Sequence, residues 1–146
     1  MNRRVYLAAL GSAATAGLAG CSALGDIGGG NGPCDGHDCD VGMNRNSFLP
    51  DRYEVRVGET VVWKNTSEAD HTITAYEDAI PDGAAYFATG GFEDEQSARE
   101  AWHGERGGRL GTRETFEHTF EIPGTYNYAC IPHEIGGMTG QIVVSE

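Results

Sequence analysis

Thr125-Tyr126-Asn127-Tyr128-Ala129-Cys130-Ile131-Pro132-His133-Glu134-Ile135-Gly136-Gly137-Met138-Thr139-Gly140-Gln141 is the stretch from which the rest of the chain can be read. Side chains on a strand point alternately to its two faces. Tyr126, Tyr128 and Cys130 therefore share one face, and Thr125, Asn127 and Ala129 the other. Pro132 and the Gly136-Gly137 pair break the strand into a loop, and Gln141 to Val144 starts a second strand. One tight loop between two strands thus carries a thiol, an imidazole and a thioether, from Cys130, His133 and Met138.

Taken singly, each has a plainer use. A lone Cys is usually a small buried hydrophobe, a lone Met core, a lone His structural or surface. Together they make a ligand set. Thiolate is soft and favours Cu(I), imidazole suits both copper states, and thioether is a weak, soft donor. Zinc fits less well, because its protein sites use Cys, His and carboxylate without thioether. A fourth donor must come from elsewhere, ideally a second imidazole. His71 is the candidate, since it opens the strand-like run His71 to Tyr76 directly after the polar turn Asn65 to Asp70. Two His, one Cys and a weak axial Met are the donor set of blue-copper electron-transfer sites.

The run Gly124 to His133, with Gly137-Met138-Thr139-Gly140 after it, resembles the copper loop of plastocyanin-type cupredoxins. In particular it is similar to that of the halocyanins, the lipid-anchored blue-copper proteins of halophilic archaea. The resemblance covers about Val41 to Glu146. It implies one copper ion cycling between Cu(I) and Cu(II), held by His71, Cys130, His133 and Met138. It also implies a partly exposed loop histidine as the electron's exit. Redox partner proteins of a membrane respiratory chain would dock near His133, on a small patch of Ile131, Pro132, Ile135, Gly136 and Gly137. One departure is visible: many members place Asn directly after the first His, where it ties the ligand loops together, and here it is Thr72.

The chain has 146 residues, with 10 Lys+Arg against 22 Asp+Glu. Lys64 is its only lysine. So acidic a surface argues against nucleic-acid binding and suits a high-salt medium. Residues 1–20 read as a secretory signal: Arg3-Arg4 precede the apolar run Val5 to Leu18, which is shorter than the about 20 residues a membrane span needs. Asn2-Arg3-Arg4-Val5-Tyr6-Leu7 resembles a twin-arginine export signal. Leu18-Ala19-Gly20-Cys21 looks like a lipoprotein processing site, which makes Cys21 the lipidated first residue of an exported protein on the outer face of the cell membrane. Residues 21–40 then form a Gly-rich tether. Within it, Cys34 and Cys39 are expected to be bridged, the alternatives being free thiols or a second metal site using His37.

Residues 41–146 carry the β pattern. Val41 to Phe48 reads as a first strand; Tyr53, Val55 and Val57 alternate with Glu54 and Arg56; Val61 and Trp63 share a face of Thr60 to Asn65. Phe116, His118, Phe120 and Ile122 share a face of Glu114 to Ile122, with His118 read as a hydrogen-bonded structural residue. Residues 78–113 interrupt the strands with a short helix from Asp94 to Trp102, capped by Asp94, closed by Gly104 and followed by His103 as a helix-end charge. The expected fold is all-β: an antiparallel Greek-key β-sandwich of cupredoxin type with one inserted loop and short helix. The expected role is an electron carrier, not an enzyme. A copper reductase or oxidase needs further copper sites, and only His37, His103 and His118 are left over. Storage or delivery favours open, exchangeable sites rather than one closed mixed set.

Overall fold

In the computed structural model, which describes Cys34 and residues 38–146, the alternating segments form two four-stranded sheets. The first comprises β1 (Val41–Met43), β2 (Phe48–Leu49), β4 (Thr60–Asn65) and β6 (Thr115–Thr119), in the order β2-β1-β4-β6. The second comprises β3 (Arg52–Arg56), β5 (Thr74–Ala75), β7 (Gly124–Ala129) and β8 (Thr139–Ser145), in the order β3-β8-β7-β5. The leader 1–20, Cys21, the Gly-rich run through residue 33 and His37 lie outside the described residues.

The sheets are mixed rather than purely antiparallel: β1 runs parallel to β4, and β3 parallel to β8. A hairpin forces its strands antiparallel, but each of these pairs is linked by chain that passes through the opposite sheet, so either direction is open. The run Val41 to Phe48 is two strands, not one. The Asn44 side chain accepts hydrogen bonds from the Asn46 and Ser47 amides at 2.9 and 2.8 Å, and this local turn folds β2 back onto β1. Residues 38–40 are tied to the first sheet. Asp40 accepts from the Val62 amide at 2.9 Å and the Tyr53 hydroxyl at 3.1 Å, and Asp38 pairs with Lys64 at 2.6 Å. Cys34 and Cys39 are joined by a disulfide beside them.

The core lies between the sheets and is centred on fully buried Trp63. Phe87, Phe116, Phe120 and Tyr128 surround it, with ring centroids 5.5–6.4 Å away. Such pairs add about 0.5–1.5 kcal/mol each beyond the area they bury. His118 packs against this cluster, and among the described residues its side chain has no hydrogen-bond partner. It stacks on Phe87 at 4.7 Å and meets Phe120 edge-on at 4.8 Å, because its strand face is apolar.

The insertion carries the helix α1 (Glu95–Glu105), opened by Asp94, whose side chain accepts from the Ser97 amide at 2.7 Å. Ala98 and Trp102 are its buried residues. Gly104 does not end it. The helix continues to Glu105, and Arg106 takes the left-handed cap at φ 62°. Its guanidinium lies 5.1 Å from the Trp102 ring, an attraction that offsets the cost of that conformation in a non-glycine residue. No helix among the described residues is long and apolar enough to cross a membrane.

Candidate metal centre

Strand β7 carries the chain to Cys130, and the loop after it is a 3₁₀ turn, Ile131–Gly136, rather than open coil. Pro132 suits its first turn, where φ is already near the proline value and a missing N–H costs nothing. Gly137 closes it at φ 98°, a conformation that side chains disfavour. The chain then folds back on itself: the Cys130 amide donates to the Met138 carbonyl at 3.0 Å, and the Met138 amide to the His133 carbonyl at 3.2 Å. Cys130 and Met138 are buried, His133 is half-buried, and Ile135 stands fully exposed at the tip. Ile131, by contrast, packs inward and leaves the expected surface patch.

The distant histidine arrives at this loop. His71 is fully buried, and its Nδ1 lies 3.4 Å from the Cys130 Sγ, with His133 Nδ1 at 3.3 Å from the same sulfur. The two rings are 4.9 Å apart. The ligand atoms of His71, Cys130 and His133 all fall within 4.8 Å of one another. Only Thr74–Ala75 of the strand-like run is true strand, pairing with β7 across Ala129 and Tyr128. His71 itself is fixed by two main-chain hydrogen bonds to Leu110, at 3.2 and 2.7 Å.

A polar network orients the His71 ring. Its Nε2 meets Ser67 Oγ at 3.0 Å, and the Ser67 hydroxyl donates to Asn65 Oδ1 at 2.8 Å. Asn65, fully buried, donates in turn to the Ala69 and Leu110 carbonyls at 2.7 and 2.9 Å. With Nε2 engaged by Ser67, Nδ1 is the nitrogen facing the sulfur, and fixing the far nitrogen is how proteins set a ligand histidine's orientation. Thr72, which stands where the resemblance leads one to expect Asn, braces the two ligand segments. Its Oγ1 accepts from the Ile131 amide at 2.8 Å, and its own amide points at Cys130 Sγ at 3.4 Å. Proline at 132 has no N–H to offer the sulfur, and the main-chain amides that reach it are those of Thr72 and His133. The polar turn Asn65 to Asp70 was the only sequence sign of the Ser67–Asn65 network.

Burial sets the protonation of the metal-free site. The His71 imidazole is pushed down to about 4, by desolvation first and then by His133 nearby. The Cys130 thiol is pushed up to about 11 by desolvation, against the pull of its Thr72 and His133 hydrogen bonds. Both are therefore neutral at pH 7, and a metal must displace the thiol proton to bind. Glu134, next to His133, is turned away to Arg99 and Tyr76, and Arg99 holds its carboxyl below the usual range.

The residues fit copper. Bonds of about 2.0–2.3 Å from the sulfur and from either imidazole nitrogen can meet across the 3.4 and 3.3 Å that separate them. Among the described residues no carboxylate joins the group, so it offers soft and borderline donors without the hard oxygen that Mg²⁺, Ca²⁺ or Mn²⁺ prefer.

Comparison with known proteins points the same way. Residues 37–145 match the family described as copper binding proteins, plastocyanin/azurin family. The chain is 32% identical to the chloroplastic plastocyanin of Hordeum vulgare over 99% of this chain and 84% of that protein. Among solved structures, a pseudoazurin from Sinorhizobium meliltoi is 25% identical with a TM-score of 0.52, covering 73% of this chain and 72% of its own. Oxidised plastocyanin from Dryopteris crassirhizoma shares the fold with a TM-score of 0.51 at 24% identity, over 72% of this chain and 98% of its own. By its sequence match and its fold, the chain belongs to the plastocyanin/azurin family of copper binding proteins.

Proposed function

We propose that this protein is a type 1 (blue) copper electron carrier in which His71, Cys130, His133 and Met138 hold one copper ion. The observation that carries the reading is the buried Cys130 sulfur with two imidazole nitrogens beside it, one from distant His71 at 3.4 Å and one from His133 on its own loop at 3.3 Å. Copper bound there supplies a one-electron Cu(I)/Cu(II) couple. The protein keeps the donors in place through the change of charge. His71 is locked by Ser67, Asn65 and Leu110, and Cys130 by the Thr72 brace. Half-buried His133 is the ligand nearest solvent, and exposed Ile135 beside it gives a partner an apolar foothold. Copper should be taken up at one equivalent, giving an intense blue colour that ascorbate bleaches reversibly. Uptake beyond one equivalent, or turnover with nitrite or oxygen, would move the protein to storage or enzyme chemistry.

The finer reading is a halocyanin-type lipoprotein at the outer face of a halophile's membrane, exchanging electrons with respiratory partner proteins near His133. Its support is the Leu18-Ala19-Gly20-Cys21 processing site, the tether after it, and a net charge of −12 with a single lysine. Membrane fractionation tests it: Cys21→Ala should release the protein from membranes, and a variant that stayed in the membrane fraction would rule out this anchor.

A further inference from the structure

We propose that the segment inserted between β5 and β6 is a brace for the copper loop, with Arg99 as its positioning residue. The inference rests on the copper reading above. Glu134 directly follows His133 on the 3₁₀ turn. Its carboxylate accepts two parallel hydrogen bonds from the Arg99 fork, Nη1 to Oε1 at 2.8 Å and Nη2 to Oε2 at 3.0 Å, and a third from the Tyr76 hydroxyl. The remaining Nε of Arg99 binds Glu95 at 2.8 Å, one turn earlier on α1, so the guanidinium is set on its own helix before it reaches the loop. The side chains of Arg99 and Glu134 are only 29% and 26% exposed. A bidentate, partly buried pair fixes orientation, which exposed single contacts do not. The same insertion holds the other histidine, since Leu110 exchanges two main-chain hydrogen bonds with His71. Both histidine-bearing segments are thus fastened to one structure that lies outside the strands.

Two separable effects follow. The fork fixes the Glu134 carboxylate and with it the turn that carries His133. The guanidinium charge also offsets the carboxylate nearest that ligand; without it, an uncompensated negative charge beside the site favours Cu(II).

The test uses the copper-loaded full chain and its Arg99→Met, Arg99→Lys, Glu134→Gln and Glu95→Gln variants. The readouts are midpoint potential and the rate of copper release to excess Cu(I) chelator. Arg99→Met should lower the potential and Glu134→Gln raise it, and both should release copper about tenfold faster, the scale typical of groups that support a ligand. Arg99→Lys keeps the charge but not the fork, so it should restore the potential and leave release fast. Glu95→Gln weakens the contact that sets Arg99 on its helix but spares the fork, so it should speed release less than Arg99→Met does. Potentials that move in the same direction for Arg99→Met and Glu134→Gln, or wild-type release from both, would overturn the brace. If Arg99→Met unravels α1, Glu134→Gln decides alone, because it alters nothing on the helix. A wild-type protein that takes up no copper would instead sink the copper reading.

Discussion

Replacing Thr72 by Val tests the join between the two ligand segments with the least change of shape. The hydroxyl is buried, accepts from the Ile131 amide at 2.8 Å, and also takes a bond from Thr74 Oγ1 at 3.3 Å. Val leaves the Ile131 N–H buried without an acceptor, which costs about 1–3 kcal/mol. The added methyl returns up to about 0.8 kcal/mol. With the methyl's full return the net loss is about 0.2–2.2 kcal/mol, or about 1–9 °C in Tm at about 4 °C per kcal/mol for a domain near this size. The Thr72 amide, which faces the Cys130 sulfur, is untouched by the substitution. Copper-loaded Thr72→Val should therefore stay blue while its metal-free form melts lower. Circular dichroism of the metal-free protein reads the melting, and hydrogen exchange reads the Ile131 amide, which should exchange about tenfold faster for each 1.4 kcal/mol lost. Thr72→Ser keeps the acceptor and should keep that amide protected. A Val variant melting within 1 °C of wild type, with Ile131 equally protected, would refute the reasoning.

Cys130→Ser replaces the soft thiolate by a hard, weakly acidic hydroxyl, so the intense blue absorption should vanish in a visible spectrum taken with copper present. The metal-free protein should lose stability as pH falls from about 6.5 to about 4. Across that window the unfolded chain protonates a histidine that the fold keeps neutral at position 71, so the unfolded state binds more protons. His118, lowered by burial as well, adds to the slope, and His71→Gln should flatten it without abolishing it in melts between pH 7 and pH 4. A Cβ on Gly140 would stand 2.6 Å from the Tyr128 ring, so Gly140→Ala should cost about 1–3 kcal/mol by overpacking, read as a fall in the denaturant midpoint.

The fold was legible wherever one face of a strand is buried. Val61 and Trp63 alternate with solvent-facing residues, and the structure buries those two completely. Alternation reports which face is buried but not which strand lies alongside, so the parallel pairings of β1 with β4 and β3 with β8 had no local signature. The division of Val41 to Phe48 followed from Asn44, whose side chain competes for backbone amides. That competition is written in the residue type, yet an apolar residue at either end made the run look continuous. Helix α1 shows the same limit at its C-terminal end. Gly104 is a reasonable stop, but Trp102 gives Arg106 a ring to lie against, and this tertiary contact moves the end past the glycine.

At the candidate metal centre the residues that converge, His71, Cys130 and His133, stand out by residue type and their supports do not, for a physical reason. Donor atoms are limited to a few residue types, and three of them crowd one short loop. The groups that hold them are ordinary: Ser67, Asn65, Thr72, Leu110 and Arg99 have many uses, and each acquires this one only through a contact made across the fold. Arg99 is the sharpest case. Its helix spacing to Glu95 is a local pattern that would be complete by itself, and the sequence offers no reason to look further. The bond that matters is to Glu134, across 35 positions of chain. In this protein, then, three of the four candidate donors are neighbours in sequence, and the groups that hold them are not. A relative could keep every donor and still hold copper differently if it lacked the insertion. Grafting Ile131 to Met138 onto a relative without α1 should therefore transfer the blue colour but not the slow release of copper, and release at this protein's rate from such a graft would show that the loop alone is enough.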